Sequence, residues 1–350
     1  MALALAVATG LLAQNTGPIL TIASTVPPNG DLNPYGVAVV PVSMGKLVEG
    51  HILVSNFNNS ANLQGTGTTI MDIAPDGTAK VFARIAAGSL PGPCPGGVGL
   101  TTALVVLHKG WVIVGSLPTT DGTADTAQAG CLIVLNHAGQ VVETFADNRI
   151  NGPWDMTALD LGKTAYLFVT NVLNGTVAGN GGLVNEGTVV RIVVGATETS
   201  MPWIESMTTI GSGFPERTDP AALVIGPTGV AISPDGTLYV ADSLDNRIAV
   251  IDNAASRTSS AGLGRTVSKG GSLNDPLGMA IDGIDSHLFT MNGNNGLMVD
   301  TSPSAGQIGD WLLDNSGSPR GSGALFGLAT TPGGLYFVDD ATNTLNLLHR

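Results

Sequence analysis

Six short polar side chains recur at one position of a repeating pattern: Asn56, Ser116, Asn171, Asp242, Asn292 and Asp339. Each closes an apolar run, as in Ile52-Leu53-Val54-Ser55-Asn56 and Leu238-Tyr239-Val240-Ala241-Asp242. Amides and carboxylates gathered into one ring can ligate a hard cation such as Ca²⁺, or hydrogen-bond a sugar or a lactone. The same short side chains can instead cap the turn that follows each run. A second set precedes a recurring glycine: Tyr35, Val98, Trp154, Thr228, Leu277 and Phe326. Of these, Tyr35, Trp154, Thr228 and Phe326 are the candidate ligand-binding residues, since aromatic faces grouped this way stack a ligand; the alternative is that they pack as a plug. Asp155 stands where the pattern has glycine. An acid at a position that wants no side chain is a candidate catalytic or metal-binding group, and Asn171 and Asp242 are the metal candidates beside it.

These residues are spaced by a repeated unit, clearest from Gly226 to Asp252. There, Val230-Ala231-Ile232 and Leu238-Tyr239-Val240-Ala241 are β-prone runs joined by Ser233-Pro234-Asp235-Gly236, a turn in which Pro fixes φ and Gly supplies φ > 0. Arg247 to Ile251 makes a third strand. Six copies of the unit can be aligned, at a period of roughly 50 residues and without a long amphipathic helix, the requirement for repeated four-stranded blades. Pro227 to Ile248 resembles the consensus of the NHL repeat. The resemblance implies an all-β, six-bladed β-propeller, related in shape to the SMP-30/gluconolactonase group.

In that group a cation is held by a Glu and by Asn and Asp residues at inner blade positions. Here Thr228 and Leu277 stand where Asn is expected, and Glu49 and Glu143 fall at a turn and an outer strand rather than an inner one. Closure is expected to come from the N-terminal run Pro18 to Val26, which supplies the outer strand of the last blade and places Ile19 and Ile22 beside Leu345 and Leu347. Residues 17–350 then form one domain.

Connection lengths divide the chain. The links from second to third strand are long in blades 1, 2 and 3 (Phe57 to Thr68, Leu117 to Gly130, Val172 to Gly187) and short in blades 4, 5 and 6. Long connections inside a compact domain point to recognition, so one side of one face becomes the expected binding surface. The two cysteines, Cys94 and Cys131, both belong to that face in blade 2, where a disulfide is expected if the chain is exported.

Composition narrows the partners. With 14 Lys and Arg against 27 Asp and Glu, a net charge of -13 argues against nucleic acid and anionic membrane surfaces and favours cations and neutral or basic partners. Ala2 to Ala13 is apolar and too short to span a bilayer, so residues 1–13 read as a signal-peptide remnant and the mature chain as secreted or periplasmic, with no transmembrane span. No nucleophile elbow, phosphate loop or dinucleotide fingerprint occurs, and the five histidines have no metal-binding spacing. Two functions fit. One is an exported binding module that takes a protein or glycan on its loop-rich face; the other is a divergent metal-dependent lactonase-like hydrolase, with Ca²⁺ near Asp155 and Asp242 activating water.

Overall fold

The computed structural model describes residues 18–220 and 222–349, so the expected signal segment lies outside the described residues. It is an all-β, six-bladed propeller with six sheets about a common axis. Blade 1 is built from Leu32–Val39, Ile52–Asn58, Thr69–Ile73 and Ala79–Arg84, from axis to rim. Blade 2 follows with Leu100–Val106, Val112–Ser116, Cys131–Leu135 and Val141–Phe145. Blade 4 has Pro227–Ile232, Leu238–Asp242, Arg247–Ile251 and Arg265–Lys269; blade 5 has Pro276–Ile281, Leu288–Asn292, Leu297–Ser302 and Gly306–Leu312. Second and third strands are apolar almost throughout because the neighbouring blades bury both of their faces. Outer strands are not: Arg265–Lys269 is mostly exposed and carries no apolar alternation, so no outer strand is legible for blade 4 in the sequence.

Closure runs through both ends of the described chain. Ile19–Ser24 pairs antiparallel with Thr344–His349, completing blade 6 beside Gly334–Asp339 and Leu325–Thr331. Ile22 packs into the cluster that holds Leu345 and Leu347. Ile19, opposite Leu348, instead points outward and is 42% exposed.

Blade 3 departs most from expectation. After Pro153–Asp160 and Thr164–Asn171 comes a one-turn helix, Thr176–Gly179, and then the long strand Val184–Gly195. The outer strand runs through Trp203–Asp219, far longer than the other rim strands, and Leu223–Ile225 folds back on it as a fifth strand. The extension is bent by several bulges, which carry it off the rim and over the axis.

Adjacent blades are tied at their inner strands by small hydroxyls. Ser55 Oγ accepts from the Gly36 N–H at 3.0 Å and donates to Thr101 O at 2.7 Å in the next blade. Thr170 Oγ1 likewise accepts from the Asp155 N–H at 3.1 Å and donates to Thr228 O at 2.7 Å. The recurring glycine follows from the same closeness: a Cβ on Gly229, Gly278 or Gly327 would stand only 2.0 to 2.1 Å from a carbonyl oxygen of the following blade.

Candidate functional site

The inner strands all start at the loop-rich face, and there the axis is shut. Tyr35, Trp154, Leu277 and Phe326 are buried in one cluster with Phe57, near the end of blade 1's second strand, and Leu117 from the blade 2 connection. Tyr35 stacks on Phe326 at 3.9 Å and on Phe57 at 4.6 Å between ring centroids. The blade 3 extension completes the seal. Leu223, with φ of 64°, turns the returning strand so that Leu223 and Val224 join the same cluster. In blade 2 the position belongs to Thr101 rather than Val98: the register slips between Leu100 and Leu104, and Thr101 lines the small void beside Tyr35 and Trp154.

Above the plug lies a polar pocket of about 240 Å³, floored by Tyr35, Leu277 and Phe326. Its walls come from four places: the end of blade 1's second strand and the connection after it (Asn58, Asn62, Gln64), the blade 3 extension (Arg217, Asp219), and the starts and turns of blades 5 and 6 (Asp275, Asn294, Asp340). Asn33 and Asp275 hold equivalent positions, each directly before a proline and each with φ of 57°. The preceding turn pins both: Asn343 Oδ1 accepts from the Asn33 N–H at 2.8 Å, and Asn246 Oδ1 from the Asp275 N–H at 2.7 Å. Asn and Asp tolerate this left-handed backbone better than other side chains. Their side chains line the mouth as a result.

The electrostatics of the pocket are acidic. Arg217 Nη2 lies 2.9 Å from Asp219 Oδ2, which neutralises one carboxylate of three. Asp275 is pushed up to about 7, chiefly by burial and then by Asp219, with Arg217 opposing. Asp340 is also raised to about 7, by burial and by the neighbouring Asp339. Burial pushes the Tyr35 hydroxyl up as well, and the charge of Asp340 adds to it.

The structure scatters the other sequence candidates. The six-member polar ring is buried, and its members are engaged separately, for the most part with neighbouring segments. Asn56 Nδ2 donates to Thr25 O at 3.0 Å, Asn292 Nδ2 to Ser272 O at 2.7 Å, and Asp339 Oδ1 accepts from the Thr342 N–H at 3.1 Å. Asp242 is held by Arg247 through two contacts of 2.8 and 3.0 Å. Asn171 is buried in blade 3, its amide nitrogen on Val169 O at 3.4 Å. Thr228 is buried too, its hydroxyl shared with Ser243 and Pro276 O. Asp155 lies beyond the plug, on the wall of the channel that opens to the opposite face. Its Oδ1 accepts from the Met156 N–H at 2.8 Å and its Oδ2 from the Val230 N–H at 3.0 Å, while burial raises it to about 7. The channel holds about 440 Å³ and is walled by all six inner strands.

Of the four ligand-binding candidates, then, only Tyr35 and Phe326 reach the pocket, as floor; Trp154 belongs to the plug and Thr228 to a blade junction. Asp155, Asn171 and Asp242 are each engaged separately, and among the described residues no three His, Cys, Asp or Glu side chains group closely enough to hold a metal ion. The axial mouth, where a divalent cation would sit in a gluconolactonase-like propeller, is apolar here, so the residues present do not fit that ion. Sequence reasoning missed Asn58, Arg217, Asp219, Asp275 and Asp340. Only the Asn33-Pro34 and Asp275-Pro276 pairs carried a signal, a turn dipeptide in two equivalent places.

Cys94 and Cys131 are joined by a disulfide, which fastens the segment entering blade 2 to the start of that blade's third strand. Two histidines bridge to aspartates of the next strand: His51 Nδ1 lies 2.8 Å from Asp72 Oδ1, and His287 repeats the arrangement with Asp300 at 3.2 Å.

Residues 225–251 match the family model of the NHL repeat, the stretch whose turn and strands are clearest in the sequence. No curated protein sequence matches the chain significantly. Among solved structures it is similar to regucalcin, a calcium-binding protein from Agrobacterium tumefaciens, at 14% identity and a TM-score of 0.56, over 93% of this chain and 94% of that one. It is similar to a candidate gluconolactonase at 13% identity and a TM-score of 0.53, over 97% and 93% of the two chains. A catalytically inactive virginiamycin B lyase from Staphylococcus aureus, crystallised with quinupristin, gives 14% identity and a TM-score of 0.52, over 95% and 99%. At such identities the likeness shows the fold alone, a six-bladed β-propeller with one NHL-repeat match at residues 225–251.

Proposed function

We propose that this propeller is a binding module that takes a protein or glycan partner on its loop-rich face, with the pocket above the plug as its specific contact. One observation carries the reading: the polar groups of that face converge off the axis, on an apolar floor, instead of meeting at the axis itself. A concave site with a dry floor and a few placed polar groups is the usual form of a recognition site. A disulfide and an acidic surface accord with work outside the cytoplasm, and we propose a secreted or periplasmic location.

The second reading, a metal-dependent lactonase-type hydrolase, draws on the likeness to the candidate gluconolactonase and to calcium-binding regucalcin. One set of measurements separates the two. Labelled protein is applied to glycan and peptide arrays beside a variant in which residues 59–66 are replaced by a two-residue turn. Selective array binding that the variant loses, with a Tm unmoved by EDTA or Ca²⁺ and no lactone turnover, is the expected result. Metal-dependent hydrolysis of a lactone with a Ca²⁺-linked rise in Tm would favour the hydrolase instead.

A further inference from the structure

The pocket's orphaned groups specify what it lacks. Asp275 is 8% exposed, and its Oδ1 has no hydrogen-bond partner among the described residues. Across the pocket Asn58, 1% exposed, uses its amide nitrogen on Asn62 at 2.8 Å and leaves its own Oδ1 buried without a partner. Both orphans are acceptors. A buried acceptor left unmade costs free energy, more so when it is charged, and a ligand that brings donors recovers it. The one guanidinium of the pocket, Arg217, already lies against Asp219. Among the described residues neither Asp275 nor Asp340 has an ion-pair partner, and Arg217 acts on Asp275 only at longer range.

From this geometry, and resting on the binding reading above, we infer that the pocket is a site for an organic cation: an ammonium or guanidinium group received by Asp275 and Asn58, with Asp340 completing the charge. A metal ion suits it poorly, because the carboxylates do not group closely enough to ligate one and the Arg217 guanidinium stands among them. An ammonium has three donors and a guanidinium five, enough to span acceptors on separate blades. The apolar floor of Tyr35, Leu277 and Phe326 keeps the local dielectric low and so strengthens each contact. Protonation competes with the ligand. The charged groups acting on Asp275 are Asp219 and Arg217, Asp340 lines the same pocket beside Asp339, and with Asp275 and Asp340 both near 7, binding tightens as pH rises through that value. Between pH 6 and pH 8 each carboxyl that must ionise contributes about tenfold in Kd.

The whole chain is titrated with n-butylammonium and methylguanidinium, with n-butanol as the neutral isostere, and followed by backbone amide NMR at pH 6 and pH 8. Saturable shifts at Asn58, Asp275 and Gly293 with the cations alone, weaker at pH 6, are expected. Asp275→Asn keeps the shape and the backbone preference of the residue it replaces, and should weaken binding at least tenfold; Asp340→Asn should weaken it less. Equal binding of butanol, or cation binding indifferent to both variants, would overturn the inference. A Lys- or Arg-bearing peptide that binds more tightly than the small cations assigns the group to a protein partner, and parity assigns it to a free amine; either outcome supports the site. Array binding of a neutral glycan that is unmoved by Asp275→Asn removes the cation and leaves the binding reading standing. Cation binding with blank arrays supports the site and counts against a protein or glycan partner.

Discussion

The two mouths of the central channel are built from the same six inner strands and have opposite characters. At the loop-rich face the strands begin with large side chains, and long connections and a folded-over hairpin press further apolar groups between them. At the other face, among the described residues, a channel of about 440 Å³ walled by the six inner strands reaches as far as Asp155. Six-fold repetition thus fixes the frame alike at both ends. What differs is the unequal additions, and these gather where recognition is proposed.

The comparison breaks most sharply at Tyr35. Its ring is 5% exposed and stacked between two others, so Tyr35→Ala opens a cavity in the seal. A loss of about 3–5 kcal/mol in unfolding free energy is expected from denaturant titration. Val39→Ala, on the wall of the open mouth, should cost about 1 kcal/mol because that side chain is only partly buried. Similar costs at both sites would mean that the loop-rich mouth is not a packed plug.

Next in size is the staple beside the plug. Cys94 and Cys131 enclose a sequence separation of 37 residues, and the pair Cys94→Ala with Cys131→Ala frees the segment entering blade 2. The chain-entropy model gives a loss of about 3–4 kcal/mol, read as a lower midpoint in chemical unfolding. Hydrogen exchange should locate the loosening at residues 86–99 and in the connection from 117 to 130, and leave the open mouth unchanged. Loosening spread evenly over both faces would erase the distinction.

The contrast between the mouths also decides what the sequence could disclose. Gly229, Gly278 and Gly327 are legible because nothing larger fits against the next blade's carbonyl, and Leu238 to Asp242 because burial on both faces demands an unbroken apolar run. Such residues answer to local rules that repeat six times. The polar ring was legible in position but not in use, since a short Asn or Asp that caps a turn and one that meets a ligand look alike in sequence. Arg217 and Asp219 were beyond reach: they arrive on an extension whose path over the axis depends on bulges, and no spacing rule records where those bend a strand. The pocket is assembled from blades 1, 3, 5 and 6; its floor and the Asn33/Asp275 pair repeat from blade to blade, but Asn58, Arg217 and Asp219 follow no period.

The smallest effect tests Asp155, the acid at the closed end of the open channel. Its carboxyl is raised from an ordinary 3.8 to about 7 by burial, although two backbone N–H groups favour the ionised form. A carboxyl raised on folding binds more protons in the native than in the unfolded state between those values, so its stabilising contribution is present below about 4 and is lost as pH climbs through 7. Asp155→Gly restores the glycine found in blades 1, 4, 5 and 6 and removes that titration. The glycine itself costs about 1 kcal/mol in backbone entropy at every pH. Relative to the parent chain, the variant should therefore gain about 1–3 kcal/mol on going from pH 5 to pH 8, measured as the difference between two denaturant curves. Asp275, Asp340 and Glu216 are raised in the same direction and impose the same slope on both proteins, so the difference isolates Asp155. Parallel pH profiles for the two proteins would mean that Asp155 stays ionised across this range, with water in the open mouth solvating it. The two ends of the channel would then differ in shape alone.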